Sequence, residues 1–123
     1  MLQELVDRSP EITGIVLASL DGFPLQYASR NTIDVDRQAA VIASLASLAK
    51  RSTQMVDIGA PEEILITSER GRMFIYRIED LAALGVITAK DITAGMILLK
   101  IRQMLPFLVE ELRREIETFG GRL

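Results

Sequence analysis

Between Asp36 and Asp57 the chain places large apolar residues three and four positions apart. Val41, Leu45, Leu48 and Met55 fall on one line, Ser52 shares it, and Ile42, Ala49 and Val56 lie beside it. A turn of about 100° per residue puts these on one side of an α-helix. No Pro or Gly interrupts the run, and its Ala, Leu, Lys, Arg and Gln are good helix formers. Asp34 or Asp36 can cap its start, and Gly59 and Pro61 follow its end. The adjoining sector holds Ala39, Ala43, Ala46 and Thr53, small enough for another backbone to approach closely. The pattern predicts a long central helix. Its large-residue stripe is expected to pack on a sheet, and its small-residue sector is expected to take a second neighbour from another chain.

The flanking segments read as strands and two more helices. Leu2, Leu5 and Val6, with Glu4 and Arg8 four apart, predict a short first helix that Pro10 ends. Ile12–Leu20 is β-branched and apolar on both faces, which predicts a covered strand. Asp21-Gly22 marks a tight turn. Phe23–Ala28 alternates, with Phe23, Leu25 and Tyr27 on one face, and Pro24 assigns it to a sheet edge. Ser29–Asp34 is a polar connection. After Pro61, strands are predicted at Glu63–Ser68, Arg72–Ile78 and Leu81–Thr88, with turns at Arg70-Gly71 and Glu79-Asp80. Gly85, inside the fifth strand, marks a bulge or a close backbone approach. Thr93 opens a long helix, Ala94–Thr118, with an apolar stripe of Ile97, Ile101, Leu105, Leu108 and Leu112, extended by Ile116. Pro106 is expected to kink or divide it. Gly120-Gly121 reads as a frayed tail.

A hairpin and a three-stranded meander, joined by the central helix, make one five-stranded antiparallel sheet in an α+β single domain over residues 1–123. The third strand is expected at an edge that carries neither Pro nor Gly, an open invitation to pair with another chain. Two features thus predict oligomerisation: that edge, Ile64, Leu65, Ile66, Thr67 and Ser68, and the helix sector Ala39, Ala43 and Ala46.

Composition narrows the chemistry. The 123 residues contain no His and no Cys, which removes the commonest general base, thiol nucleophiles and disulfides. The Asp residues sit at turns and helix ends, where local hydrogen bonding favours them, and not in a metal-binding pattern. No phosphate-binding glycine loop is present. No catalytic residue, metal or cofactor is therefore expected. Met96 and Met104 are read as core filler. A net charge of −3 and unclustered Lys and Arg argue against a nucleic-acid partner. No apolar run reaches the roughly 18 residues of a membrane span, and the first ten residues do not read as a signal peptide. A hydrophobic content of 49% is high for so short a chain and points to apolar surface shared with a partner.

These segments resemble roadblock (dynein light-chain type) domains. ITGIVLASLDGFPLQYAS is similar to the family's opening hairpin, and QAAVIASLASLAKRS to its Ala-rich central helix. EEILITSERGRMFIYRI resembles the third and fourth strands, and LGVITAKDITAGMILLKIRQMLPFLVEEL the fifth strand and final helix. The short first helix and Pro106 depart from the pattern. The resemblance implies a profilin-like α/β/α layering, with the central helix on one sheet face and the terminal helices on the other. It also implies a cytoplasmic, non-catalytic homodimer, or a heterodimer with another roadblock protein, formed through the third strand and central helix. Many roadblock domains bind or regulate Ras-like small GTPases, and others are assembly subunits of motors or signalling complexes. A small-molecule sensor is a further alternative from the sheet architecture. For a GTPase partner, the helix sector Ala40, Ser44, Ser47, Arg51 and Gln54 is the expected platform, since it stays open to solvent in a dimer built through the central helices.

Overall fold

The computed structural model describes residues 2–119, the side chains at 116, 118 and 119 excepted. The expectations for Ile116 and for Gly120-Gly121 lie outside the described residues. The elements are α1 (Leu2–Arg8), β1 (Ile12–Ser19), β2 (Pro24–Ser29), α2 (Val35–Met55), β3 (Ile64–Thr67), β4 (Gly71–Ile78), β5 (Ala82–Ala89) and α3 (Ala94–Phe119). Each predicted element is present, displaced by at most two residues at its ends. The five strands form one antiparallel sheet in the order β2-β1-β5-β4-β3. The fold is α+β. The chain forms two compact units, one running through Ile92 and the other beginning at Thr93.

Local chemistry accounts for the element ends. The Asp34 carboxylate accepts from the Arg37 N–H at 3.1 Å and caps α2. Asp57 and Gly59, both with positive φ, turn the chain after that helix. In the β1–β2 turn, the Phe23 N–H donates to Ser19 Oγ at 2.9 Å and the Ser19 N–H donates to the Phe23 carbonyl at 2.8 Å. Arg30 fastens α1 to this hairpin. Its guanidinium donates to the carbonyls of Ile12, Val6 and Ser9, two of them at the C-terminal end of the helix.

Register divides the sheet into two unlike faces. Val16 lies opposite Gly85, Ala18 opposite Ala83, and Ile75 opposite Gly85. These residues form the floor under α2, with Ala39, Ile42 and Ala46 of the helix seated on them. The alternate positions, Ile15, Leu17, Phe74, Tyr76, Leu84 and Val86, are large and buried. Gly85 explains the asymmetry. A Cβ there would lie 2.3 Å from Ile42 Cδ1 and 2.6 Å from Cγ1, so any side chain at this position would force Ile42 to move. The close-approach reading of Gly85 therefore holds.

In α3, Ile97, Ile101, Leu108 and Leu112 are buried as the pattern predicts, together with Met104. Met96 is not core filler but exposed. Pro106 does not divide the helix, which runs unbroken past it.

The contact beneath Ile42 yields a prediction. Gly85→Ala should destabilise the protein by about 1–3 kcal/mol, because the added methyl overpacks a buried site. Ile42→Val, which shortens the opposing side chain, should be less harmful in the Gly85→Ala background than in the wild type. A double-mutant cycle from urea unfolding measures this; additive losses would show that the two side chains do not meet.

Candidate functional site

The structure reverses the two helix faces expected from sequence. Ala39, Ala43 and Ala46, assigned above to a second chain, are 0%, 4% and 2% exposed and seated in this chain's own core. They cannot form an interface while the protein is folded. Much of the stripe expected to fill the core points outward: Val41 is 44% exposed, Leu48 57% and Met55 85%, with Ser52 exposed among them, while Ile42 and Leu45 pack against the core as expected. The physical reason is the floor of Gly85, Ala18 and Ala83. A helix lying close on small residues must present its own small residues, and its large ones then have no room beneath it.

Two flanks descend from this exposed crest. On one side Ala46 and Ala49 share a small cavity with Pro61, Ile64 and Ile75, and Leu45 packs partly against the core beside Ile64 and Met73. This flank leads to β3, which pairs with β4 alone and is the free edge of the sheet. The edge expected from sequence is thus in place for Ile64, Leu65, Ile66 and Thr67. Leu65, opposite Phe74, lies on the other sheet face from Ile64 and Ile66. Ser68 belongs to the following turn, where its N–H donates to the Gly71 carbonyl at 2.9 Å.

On the other side lies an open groove of about 470 Å³ between α2 and the β1–β2 turn, lined by Asp21, Gly22, Ala40, Ser44, Ser47 and Arg51 among others. Four of the five expected platform residues meet here: Ala40, Ser44, Ser47 and Arg51. The fifth, Gln54, lines a separate depression with Lys50 and Asp57. Ser44 donates its hydroxyl proton to the Ala40 carbonyl at 2.8 Å, so its oxygen faces a partner only as an acceptor. The groove is a shallow surface, mostly of small side chains with Leu20 and Leu48 among them, and it carries one cation, Arg51, and one carboxylate, Asp21.

Among the described residues, no group of three or more His, Cys, Asp or Glu is placed to hold a metal. No described helix is long and apolar enough to cross a membrane. The cavity beside Ala46 holds about 10 Å³, the space of one water. Lys50 and Arg77 both reach Asp80, at 3.8 and 3.2 Å, across exposed surface where such pairs add little stability.

The chain thus exposes a crest of apolar residues on α2 and a free sheet edge at β3. Residues 1–88 match the Roadblock/LC7 domain model. The chain belongs to the Roadblock/LC7 domain family. Solved structures of this family share its fold. A Roadblock/LC7 domain from Streptomyces avermitilis superposes with a TM-score of 0.76 at 21% identity, over 94% of each chain. Myxococcus xanthus MglB gives a TM-score of 0.83 at 13% identity, over 92% of each. An MglB with a tetrameric arrangement gives 0.76 at 18% identity, over 90% of this chain and 86% of that one. No curated protein matches the sequence.

The reversal of the faces has a direct test. Ala46→Arg should cost about 4 kcal/mol or more, or unfold the protein, because it forces a charged chain into the helix–sheet contact. Leu48→Arg, on the crest of the same helix, should keep the far-ultraviolet circular dichroism spectrum and a cooperative melt. Equal tolerance of the two substitutions would restore the original assignment.

Proposed function

We propose that this protein is a non-catalytic regulator or scaffold that dimerises through β3 and α2 and binds a Ras-like small GTPase in the cytoplasm. The single observation that carries the dimer is that α2 exposes the crest Val41, Leu48 and Met55 in a chain whose β3 edge is also open. Burying a large aliphatic side chain is worth about 1.5–3 kcal/mol, and three such side chains face solvent on one helix. Pairing β3 with its symmetry mate would satisfy the free backbone groups of the edge and bring the two crests together. Membership of the Roadblock/LC7 family and the likeness to MglB support the GTPase as partner. The groove beside the β1–β2 turn is the platform in this reading, with Ser47 and Arg51 at its centre. An assembly subunit of a motor or signalling complex would use the same surfaces. A small-molecule sensor would need a pocket that encloses its ligand; the cavity beside Ala46 has room only for a water, and the larger groove beside the β1–β2 turn lies open at the surface.

Two predictions follow from this reading. The wild-type protein should be a dimer at micromolar concentration by multi-angle light scattering, and Leu48→Arg should weaken it by about tenfold or more. A wild-type monomer under those conditions would refute the dimer. In pull-downs with Ras-like GTPases loaded with GDP or a GTP analogue, Ser47→Glu and Arg51→Glu should weaken capture and leave the dimer intact. Their cost in stability should stay within about 0.5 kcal/mol, as for other surface substitutions. Wild-type capture by both variants would move the platform elsewhere.

A further inference from the structure

Pro10 separates two kinds of attachment near the start of the chain. From Glu11 onward the backbone is woven into the sheet. The Ala89 N–H donates to the Glu11 carbonyl at 3.0 Å, and β1 pairs with β2 on one side and β5 on the other. Ahead of Pro10 lies α1, seven residues long, well below the roughly 12–15 at which a helix holds itself in water. It is held by what it leans on. It packs against β1 and β2, with Leu2 and Val6 buried. Arg30 adds a polar hold. Its Nε–H donates to the Ile12 carbonyl at 2.9 Å, and its Nη2 donates to the carbonyls of Val6 and, at 3.1 Å, Ser9. One planar guanidinium thus joins the last turn of α1, the residue before Pro10 and the first residue of β1.

We propose that α1 is a strap that opens and closes over the folded sheet, pivoting at Pro10, with Arg30 as its clasp. Proline fixes its own φ and has no N–H to bond to either side, which suits a boundary between two units. Two buried aliphatic side chains must offset the ordering of seven residues, so loss of the clasp tips the balance toward the open form. Opening leaves the rest of β1 in place. The Arg30 backbone N–H keeps its bond to the Thr13 carbonyl at 3.0 Å, and Val16 and Ala18 stay packed in the core under α2. The open strap bares part of β1 and β2, where Ala28 is the one buried residue of β2 and lies opposite Ile15. Elements tied down by few contacts open at lower free energy than the core, and α1 is such an element. Arg30 is a positioning residue here: it acts only through the helix it holds.

The chain has no Cys, so a single introduced thiol reports on its own site. Val6→Cys places one under α1, and Val16→Cys places one in the core under α2. Each full-length variant is labelled with a thiol reagent in water and in urea below the unfolding transition. The Val6→Cys thiol should label about tenfold faster or more than the Val16→Cys thiol, at a rate that hardly changes with urea. Opening a strap exposes little surface, whereas the Val16→Cys rate should climb with urea as global unfolding does. Adding Arg30→Gln to Val6→Cys should raise labelling a further tenfold or so, through the loss of three charge-assisted hydrogen bonds. Equal rates with equal urea dependence would show that α1 leaves only when the whole fold does. Unchanged labelling with Arg30→Gln would show that the guanidinium is not the clasp. Either result overturns the proposal. If a probe variant fails to fold, Leu2→Cys replaces Val6→Cys and Leu84→Cys replaces Val16→Cys, both at buried sites. If Arg30→Gln fails to fold, Arg30→Lys replaces it, since an ammonium cannot span the three carbonyls, and the same rise is required.

Discussion

The contact between Gly85 and Ile42 sets the height of α2 above the sheet, and most of the molecule follows from that height. Glycine at the centre of β5, with Ala83 beside it and Ala18 across from Ala83, makes a low floor. A helix can use such a floor only by presenting Ala39, Ala43 and Ala46 to it, with Ile42 filling the space over Gly85. Close packing rewards this arrangement because dispersion contacts decay steeply with a gap of even half an ångström. The choice excludes Val41, Leu48 and Met55 from the core. Their exposure is a geometric consequence of the floor and needs no separate cause.

That consequence is where fold becomes function. A helix with large residues inside and small ones outside would leave a surface with little to offer a partner. This helix does the reverse, so its outward face carries several kcal/mol of unclaimed burial free energy. The neighbouring β3 edge adds unpaired backbone groups. One surface offers non-directional attraction and the other directional hydrogen bonds. A partner that meets both gains affinity from the first and register from the second.

Element type and order were legible because each segment carries its own periodicity and punctuation: alternation in β4, Asp21-Gly22 at the first turn, Asp34 before α2. The free edge at β3 was legible from chain order. The orientation of α2 was not, because ranking residues by hydrophobicity assigns Leu48 and Met55 to the core and ignores the size of what lies beneath. A signal was present nonetheless. In Ala82–Ala89, Ala83 and Gly85 share one phase and Leu84 and Val86 the other, so the middle of this strand is small on the α2 side and bulky on the far side. Matching the small phase to the Ala sector of the helix would have turned it the right way round. Arg30 was missed for a different reason: its three carbonyl partners lie 18 to 24 residues earlier, and no local pattern marks them. The exposure of Phe23, Leu25 and Tyr27 was not legible either: their alternation was visible, but alternation does not say which residues are wet.

Leu48 belongs to both outward surfaces of α2. It stands in the apolar crest with Val41 and Met55, and it also lines the groove with Ser44, Ser47 and Arg51. A side chain in two surfaces cannot be covered on one without altering the other. A chain that closed over the crest would cover Leu48, and with it part of the groove wall. The conformational freedom lost when Leu48 is first covered need not be lost again when the second surface is filled. In the proposed reading, the dimer contact and the partner contact share this one residue. Ala40 and Ser47, which reach the groove without belonging to the crest, carry no such link.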